Sequence, residues 1–164
     1  MYEFLGKIQD LGLSQAVRGD LGYEWLFPIV ETFHVFFLAL VFGSIVMVDL
    51  RLLGLTSRDS LVSRLSREVL PWTWVAFILA ACSGTMLFMS KAQTYFYNRE
   101  FDLKFLFMFL AGINMMVFHF GIYRKVGSWD STFPTPAAAR VAGAVSLLCW
   151  SLVIVFGRWI GFTT

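Results

Sequence analysis

The chain has 164 residues, of which 58% are hydrophobic, with eighteen phenylalanines and a mean hydropathy of +0.70. A soluble domain is ~45–50% apolar, so this composition is that of a membrane protein. A net charge of only +2 argues against a nucleic-acid partner, and two cysteines inside apolar stretches argue against a disulfide framework. The length allows one domain, nearly all of it committed to the bilayer.

The N-terminal stretch Tyr2–Val17 mixes Leu5, Ile8 and Leu11 with Lys7, Gln9 and Asp10, the pattern of a short amphipathic helix lying on the surface. It lacks the basic, apolar and small-residue succession of a cleaved signal peptide. Crossing the hydrocarbon core takes about 20 mainly apolar residues. Four segments meet that requirement: Trp25–Val48, Pro71–Ser90, Leu103–Tyr123 and Ala137–Ile160. They run apolar without alternation, so helices rather than barrel strands are expected. The fold class is therefore all-α, a four-transmembrane-helix bundle with an amphipathic N-terminal helix.

The connection Arg51–Leu70 carries Arg51, Arg58, Arg64 and Arg67 and ends at Pro71, as a surface helix or ordered loop would. Lys91–Asp102 is rich in aromatic residues suited to an interface. Arg124–Pro136 reads as a linker by its Gly127, Pro134 and Pro136. Arg51, Arg58, Arg64, Arg67, Arg124, Lys125 and Arg140 fall on one side of the membrane. Lys7, Arg18, Lys91, Arg99, Lys104 and Arg158 fall on the other. The four arginines of one loop place that side in the cytoplasm and both termini in the periplasm of a bacterial inner membrane.

Function is expected at the only two histidines, His34 and His119, because ionisable residues at membrane depth are rare unless they pair, ligate or carry protons. Glu31, three residues before His34, is placed to orient it or to hand on a proton. His119 shares a helical stripe with Lys104, Met108, Gly112, Met115 and Tyr123. Gly112 leaves a hollow in which a flat macrocycle could lie. Two imidazoles in a helix bundle suit haem b, with histidine the axial ligand and Lys104 and Arg158 meeting the propionates. Depth is the difficulty. His34 lies about nine residues into its span and His119 about sixteen, a mismatch of ~10 Å at ~1.5 Å per residue. Either one haem is clamped between offset spans or there are separate sites at two depths.

A di-iron carboxylate centre fails for want of a second Glu-x-x-His pair. Copper handling by His34, Glu31 and methionines is an alternative, since imidazole and thioether both bind copper. In a third reading the chain is a non-catalytic subunit of a membrane complex, its histidines being interhelical hydrogen-bonding groups. Asp49 and Arg51 are expected to anchor the end of the first span to the next loop or to lipid headgroups, and Asn114 to bridge helices. Gly43 and Gly143 are expected to leave small-residue faces open to neighbours, in a homo-oligomer or a larger complex.

The residues Glu31-x-x-His34, Gly43, Asp49-Leu50-Arg51-Leu52-Leu53-Gly54, Pro71, Gly84, Lys104, Asn114 and Gly157-Arg158 resemble an uncharacterised family of bacterial four-span membrane proteins. The pattern is more distantly similar to the CopD-like and HemJ-like proteins. The HemJ-like resemblance implies haem b held by a membrane histidine, with a lysine in a later span also needed, the matching positions being His34 and Lys104. The CopD-like resemblance implies copper uptake, but the extra histidines and spans expected for that are missing here. Together these readings lead to a cytochrome b-like protein of electron transfer or quinone-linked oxidoreduction, partnered by quinone or a redox protein. Ligands are expected from His34 and His119, with Glu31 as the proton-handling residue.

Overall fold

The computed structural model describes residues 1–56, 60–130 and 134–163. Arg58, counted above toward the orientation, lies outside them, as does part of the Arg124–Pro136 linker. The described residues are helical almost throughout. Four helices are long and apolar enough to cross a membrane: Leu26–Leu53, Val62–Ser90, the rod beginning at Arg99, and Ala137–Thr163. In chain order the elements are α1 (Tyr2–Gln9), α2 (Gly12–Arg18), α3 (Leu26–Leu53), α4 (Val62–Ser90), α5 (Ala92–Phe96), α6 (Arg99–Val117) and α7 (Ala137–Thr163). Past α6 the rod continues as a π turn over Phe118–Ile122 and a 3-10 segment over Tyr123–Ser128.

The expected amphipathic N-terminal helix is two helices. Leu11 takes an extended conformation between them, and the Ser14 hydroxyl donates to Ile8 O at 2.7 Å to hold the bend. Both pack on one end of the bundle. There Arg18 donates to Ser90 O and the Gln93 amide to Tyr2 O. Asn98 caps α6 by accepting from Phe101 N at 3.1 Å while its amide donates to Thr163 Oγ1 at 2.9 Å, so one side chain ties the start of α6 to the end of α7.

The second span begins nine residues before Pro71. Val62, Ser66 and Val69 recur at helical spacing toward the protein, while Arg64, Arg67 and Glu68 face out. That amphipathic run keeps the chain helical up to and through Pro71, whose missing N–H removes only one hydrogen bond of a 29-residue helix. The Ser63 backbone N–H and hydroxyl both donate to the Asp130 carboxylate, fixing the start of α4 to the loop before α7. α3 ends at Gly54, whose φ of 74° permits the left-handed turn in which Leu55 N donates back to Leu50 O at 3.0 Å.

Many core positions of the bundle are small: Ala76, Ala80 and Ser83 on α4, Ala111 on α6, Ala139, Ala142 and Gly143 on α7. Phe33, Phe36, Trp72, Phe109, Phe120 and Trp159 are exposed around the outside. In lipid this inversion is expected, because small residues let backbones approach and bulky apolar ones dissolve in the tails. Gly143 corrects the expectation of an open small-residue face. It is buried against α3, where a Cβ would stand 3.2 Å from both Asp49 O and Leu52 Cβ. Gly43 does remain exposed with nothing within 4 Å.

α3 packs on α4 and on α7, and α7 on α6, whereas α4 and α6 scarcely approach along their backbones. Phe88 stacks on Phe101 at 5.3 Å where the end of α4 meets the start of α6. Farther along, the two helices leave a space walled by α3 and α7.

Candidate functional site

The structure separates the two histidines. His34 turns its ring to α4, with Nδ1 2.9 Å from Ala80 O and 3.1 Å from Ser83 Oγ. A carbonyl can only accept, and the Ser83 hydroxyl already donates to Leu79 O at 2.8 Å, so Nδ1 carries the hydrogen. Nε2 is then the nitrogen with the free lone pair. The ring fits because residue 84 is glycine: a Cβ there would stand 2.8 Å from His34 Cε1, closer than such contacts ever come. Ala80, Ser83 and Gly84 thus form a one-turn seat for one imidazole. Gly84 belonged to the resemblance, but its role as part of that seat was hidden, since only the pairing of α3 with α4 reveals it.

Lys104 is the cation whose charge is felt at His34. Its side chain lies along Gly157, where a Cβ would meet the chain and its ammonium at 3.6 Å. His34 and Lys104, the two positions of the HemJ-like resemblance, thus lie within electrostatic reach of each other, on α3 and α6. Glu31 does not hold the ring. It is exposed, and its charge acts on Tyr95 of α5, whose phenol is pushed up first by burial and then by that carboxylate. Arg158 is exposed with its guanidinium over the Phe162 ring at 5.3 Å.

His119 lies elsewhere. It sits in the π turn after α6, its ring 5.2 Å from that of Tyr123, and its buried Nδ1 has no hydrogen-bond partner among the described residues. With Met108, Gly112 and Met115 it lines a cavity of about 190 Å³ between the four long helices. Lys104, on the same stripe by spacing, is not part of that lining. Asp49 and Ser146 also line it, and so does Asn114, whose amide donates to Ala142 O at 3.0 Å. Asp49 is 5% exposed, and its Oδ2 is the second buried polar atom left without a partner. Neither Asp49 nor Arg51 reaches headgroups. Arg51 is 2% exposed and donates to Ser60 O at 2.7 Å and Thr135 Oγ1 at 3.4 Å.

Asp49, Ala142 and Asn114 mark one level of the bundle, and His119 lies five residues beyond Asn114. His34 is fifteen residues before Asp49 on a straight helix, about 22 Å along the axis at ~1.5 Å per residue. The two imidazoles stand at two depths, with different neighbours. That the two depths differ was legible in the sequence, but the size of the offset was not, because the spans do not start at one level. The partners were not, because Ala80, Ser83 and Asp49 carry no motif. Among the described residues no three His, Cys, Asp or Glu side chains gather as a metal cluster, and Cys82 and Cys149 are free thiols.

A bundle of four membrane-length helices, with one seated imidazole and one whose buried Nδ1 lacks a partner among the described residues, is a multi-span helical membrane protein. The chain belongs to the family described as a family of unknown function, DUF6644, whose model matches residues 22–163. That match takes in all four long helices and leaves out α1 and α2. No curated protein and no solved structure matches the chain.

Proposed function

We propose that the chain is a cytochrome b-like membrane protein that carries haem b on His34. The observation that carries the reading is the bond from His34 Nδ1 to Ala80 O, with Gly84 making room for the ring. An imidazole that donates one nitrogen to a backbone carbonyl is fixed in tautomer and orientation, and presents the other as a more basic ligand. Lys104 supplies the cation for a propionate. Glu31, exposed a turn nearer the surface, exchanges protons with water there. When bound, haem b supplies one-electron redox chemistry. The protein's part is to orient the ligand, neutralise the acid groups and keep the site in an apolar medium. The role that follows is electron transfer, or oxidoreduction linked to quinone, in a bacterial inner membrane with both termini periplasmic.

A second reading takes the same bond as its whole purpose, His34 joining α3 to α4 in a structural subunit. A reduced-minus-oxidised visible spectrum of the gently extracted, full-length protein separates the two. A Soret band that is lost in His34→Ala and kept in His119→Ala is expected, with about one iron per chain. Absence of the band from the parent protein, its survival in His34→Ala, or stoichiometric copper in place of iron ends the haem reading.

A further inference from the structure

Among the described residues two buried side-chain polar atoms lack a partner, which calls for a physical account, and both belong to one cavity. Asp49 Oδ2 and His119 Nδ1 are each buried without a hydrogen bond, and Asp49 and His119 line the same space of about 190 Å³. In hydrocarbon an unsatisfied buried polar group is destabilising, and intramembrane ionisable residues mark ligand or proton pathways. The rest of the wall is largely aliphatic and aromatic, with Trp74, Phe77, Met108 and Trp150 among its members. Trp74 and Met115 line the cavity and are also 48% and 40% exposed on the outside of the bundle. The space therefore reaches the lipid between α4 and α6, where those helices fail to close.

We infer that this cavity binds the hydroxyl-bearing ring of a membrane-soluble molecule, a phenol or quinol head whose apolar tail leaves between α4 and α6. Size supports a single ring: an apolar cavity of ~150 Å³ in another protein admits benzene, and this one is somewhat larger. The polar chemistry supports a hydroxyl, which donates one hydrogen and accepts through its lone pairs. It satisfies a carboxyl oxygen or an imidazole nitrogen in either protonation state, whereas a carbonyl can only accept. The lateral opening supports delivery from the bilayer rather than from water. The site lies about 20 Å deeper along the bundle than His34 and stands independently of the haem reading.

Isothermal titration of the full-length protein in detergent micelles tests this, with decyl-hydroquinone kept reduced as the probe and decylbenzene as its oxygen-free counterpart. Saturable binding of about one decyl-hydroquinone per chain, above uptake by empty micelles, is expected. Decylbenzene should bind at least tenfold more weakly. Asp49→Ala and His119→Phe should each weaken the hydroquinone about tenfold, the loss of one good hydrogen bond to a buried group. Gly112→Leu should abolish binding by filling the space, and a side chain at that position starts in the open, with nothing within 4 Å of a Cβ. That variant keeps the test decisive where Asp49→Ala fails to fold. No saturable uptake, equal binding of decylbenzene, or full binding by Gly112→Leu overturns the inference.

Discussion

The imidazole of His34 occupies the volume that any side chain at residue 84 would need, since a Cβ on Gly84 would stand 2.8 Å from His34 Cε1. One residue's identity on α4 therefore sets the position of the other's ring on α3. Gly84→Ala should push the ring off Ala80 O and lower stability by about 1–3 kcal/mol, the range for overpacking a closed contact. Thermal melting in detergent measures this. Any Soret absorbance should fall with it, and an unchanged melting curve would show that the seat yields freely.

Two glycines offer a matched pair. Gly143→Leu places its side chain against Asp49 O and Leu52 Cβ, both 3.2 Å from the added Cβ, and should separate α3 from α7. A loss of about 2–3 kcal/mol or failure to fold is expected. Gly43→Leu enters open space on the exposed face of α3 and should melt within a degree or two of the parent. If the order is reversed, the α3–α7 contact described above is wrong. If Gly43→Leu folds but changes the oligomeric mass, that face seats a second copy.

Arg51 stitches three segments at one end of the bundle, donating from the last turn of α3 to Ser60 O before α4 and to Thr135 Oγ1 before α7. Arg51→Ala leaves both acceptors without that donor and should lower stability by about 2–3 kcal/mol, the scale of charge-assisted hydrogen bonds. Arg64, exposed and paired with Glu68 four residues on, makes the comparison: Arg64→Ala should change stability by less than about 0.5 kcal/mol. Equal melting temperatures for the two variants would remove Arg51 from the architecture.

The four-span layout fixes which residues share a side. Gln9 of α1 lies with α5 and the α6 start, whereas Lys125 follows the third rod at the opposite end. Single cysteines at these positions, in a Cys82→Ala, Cys149→Ala background, should react with a membrane-impermeant maleimide from opposite faces. In intact cells the proposed orientation, with both termini periplasmic, expects Gln9→Cys to label and Lys125→Cys not to. Labelling of both from one face contradicts four crossings, and the reverse pattern inverts the orientation.

The four crossings, their helical nature and the fact that the histidines lie at different depths are legible in the sequence. Each depends on local quantities: the length of an apolar run, the absence of alternation, and the rise per residue along a helix. Asn114 as a bridge between helices follows from an amide placed mid-span. The limits at Pro71 and in the N-terminal helix are misread because a proline and a mixed polar stretch look alike whether they end a helix or lie within one. Packing at Val62 and the bend at Leu11 decide those cases.

The sequence by itself determined that this chain spans a membrane and that its two imidazoles lie at different depths, because hydrophobicity and helical rise are properties of a segment alone. Only the tertiary structure decided that His34 rests on Ala80, Ser83 and Gly84, that Lys104 lies along Gly157 of α7, and that His119 shares a cavity with Asp49. Those relationships depend on which helices touch and at what rotation. The small side chains that govern such contacts, alanine, serine and glycine, are too common along the chain to announce which of them will do so.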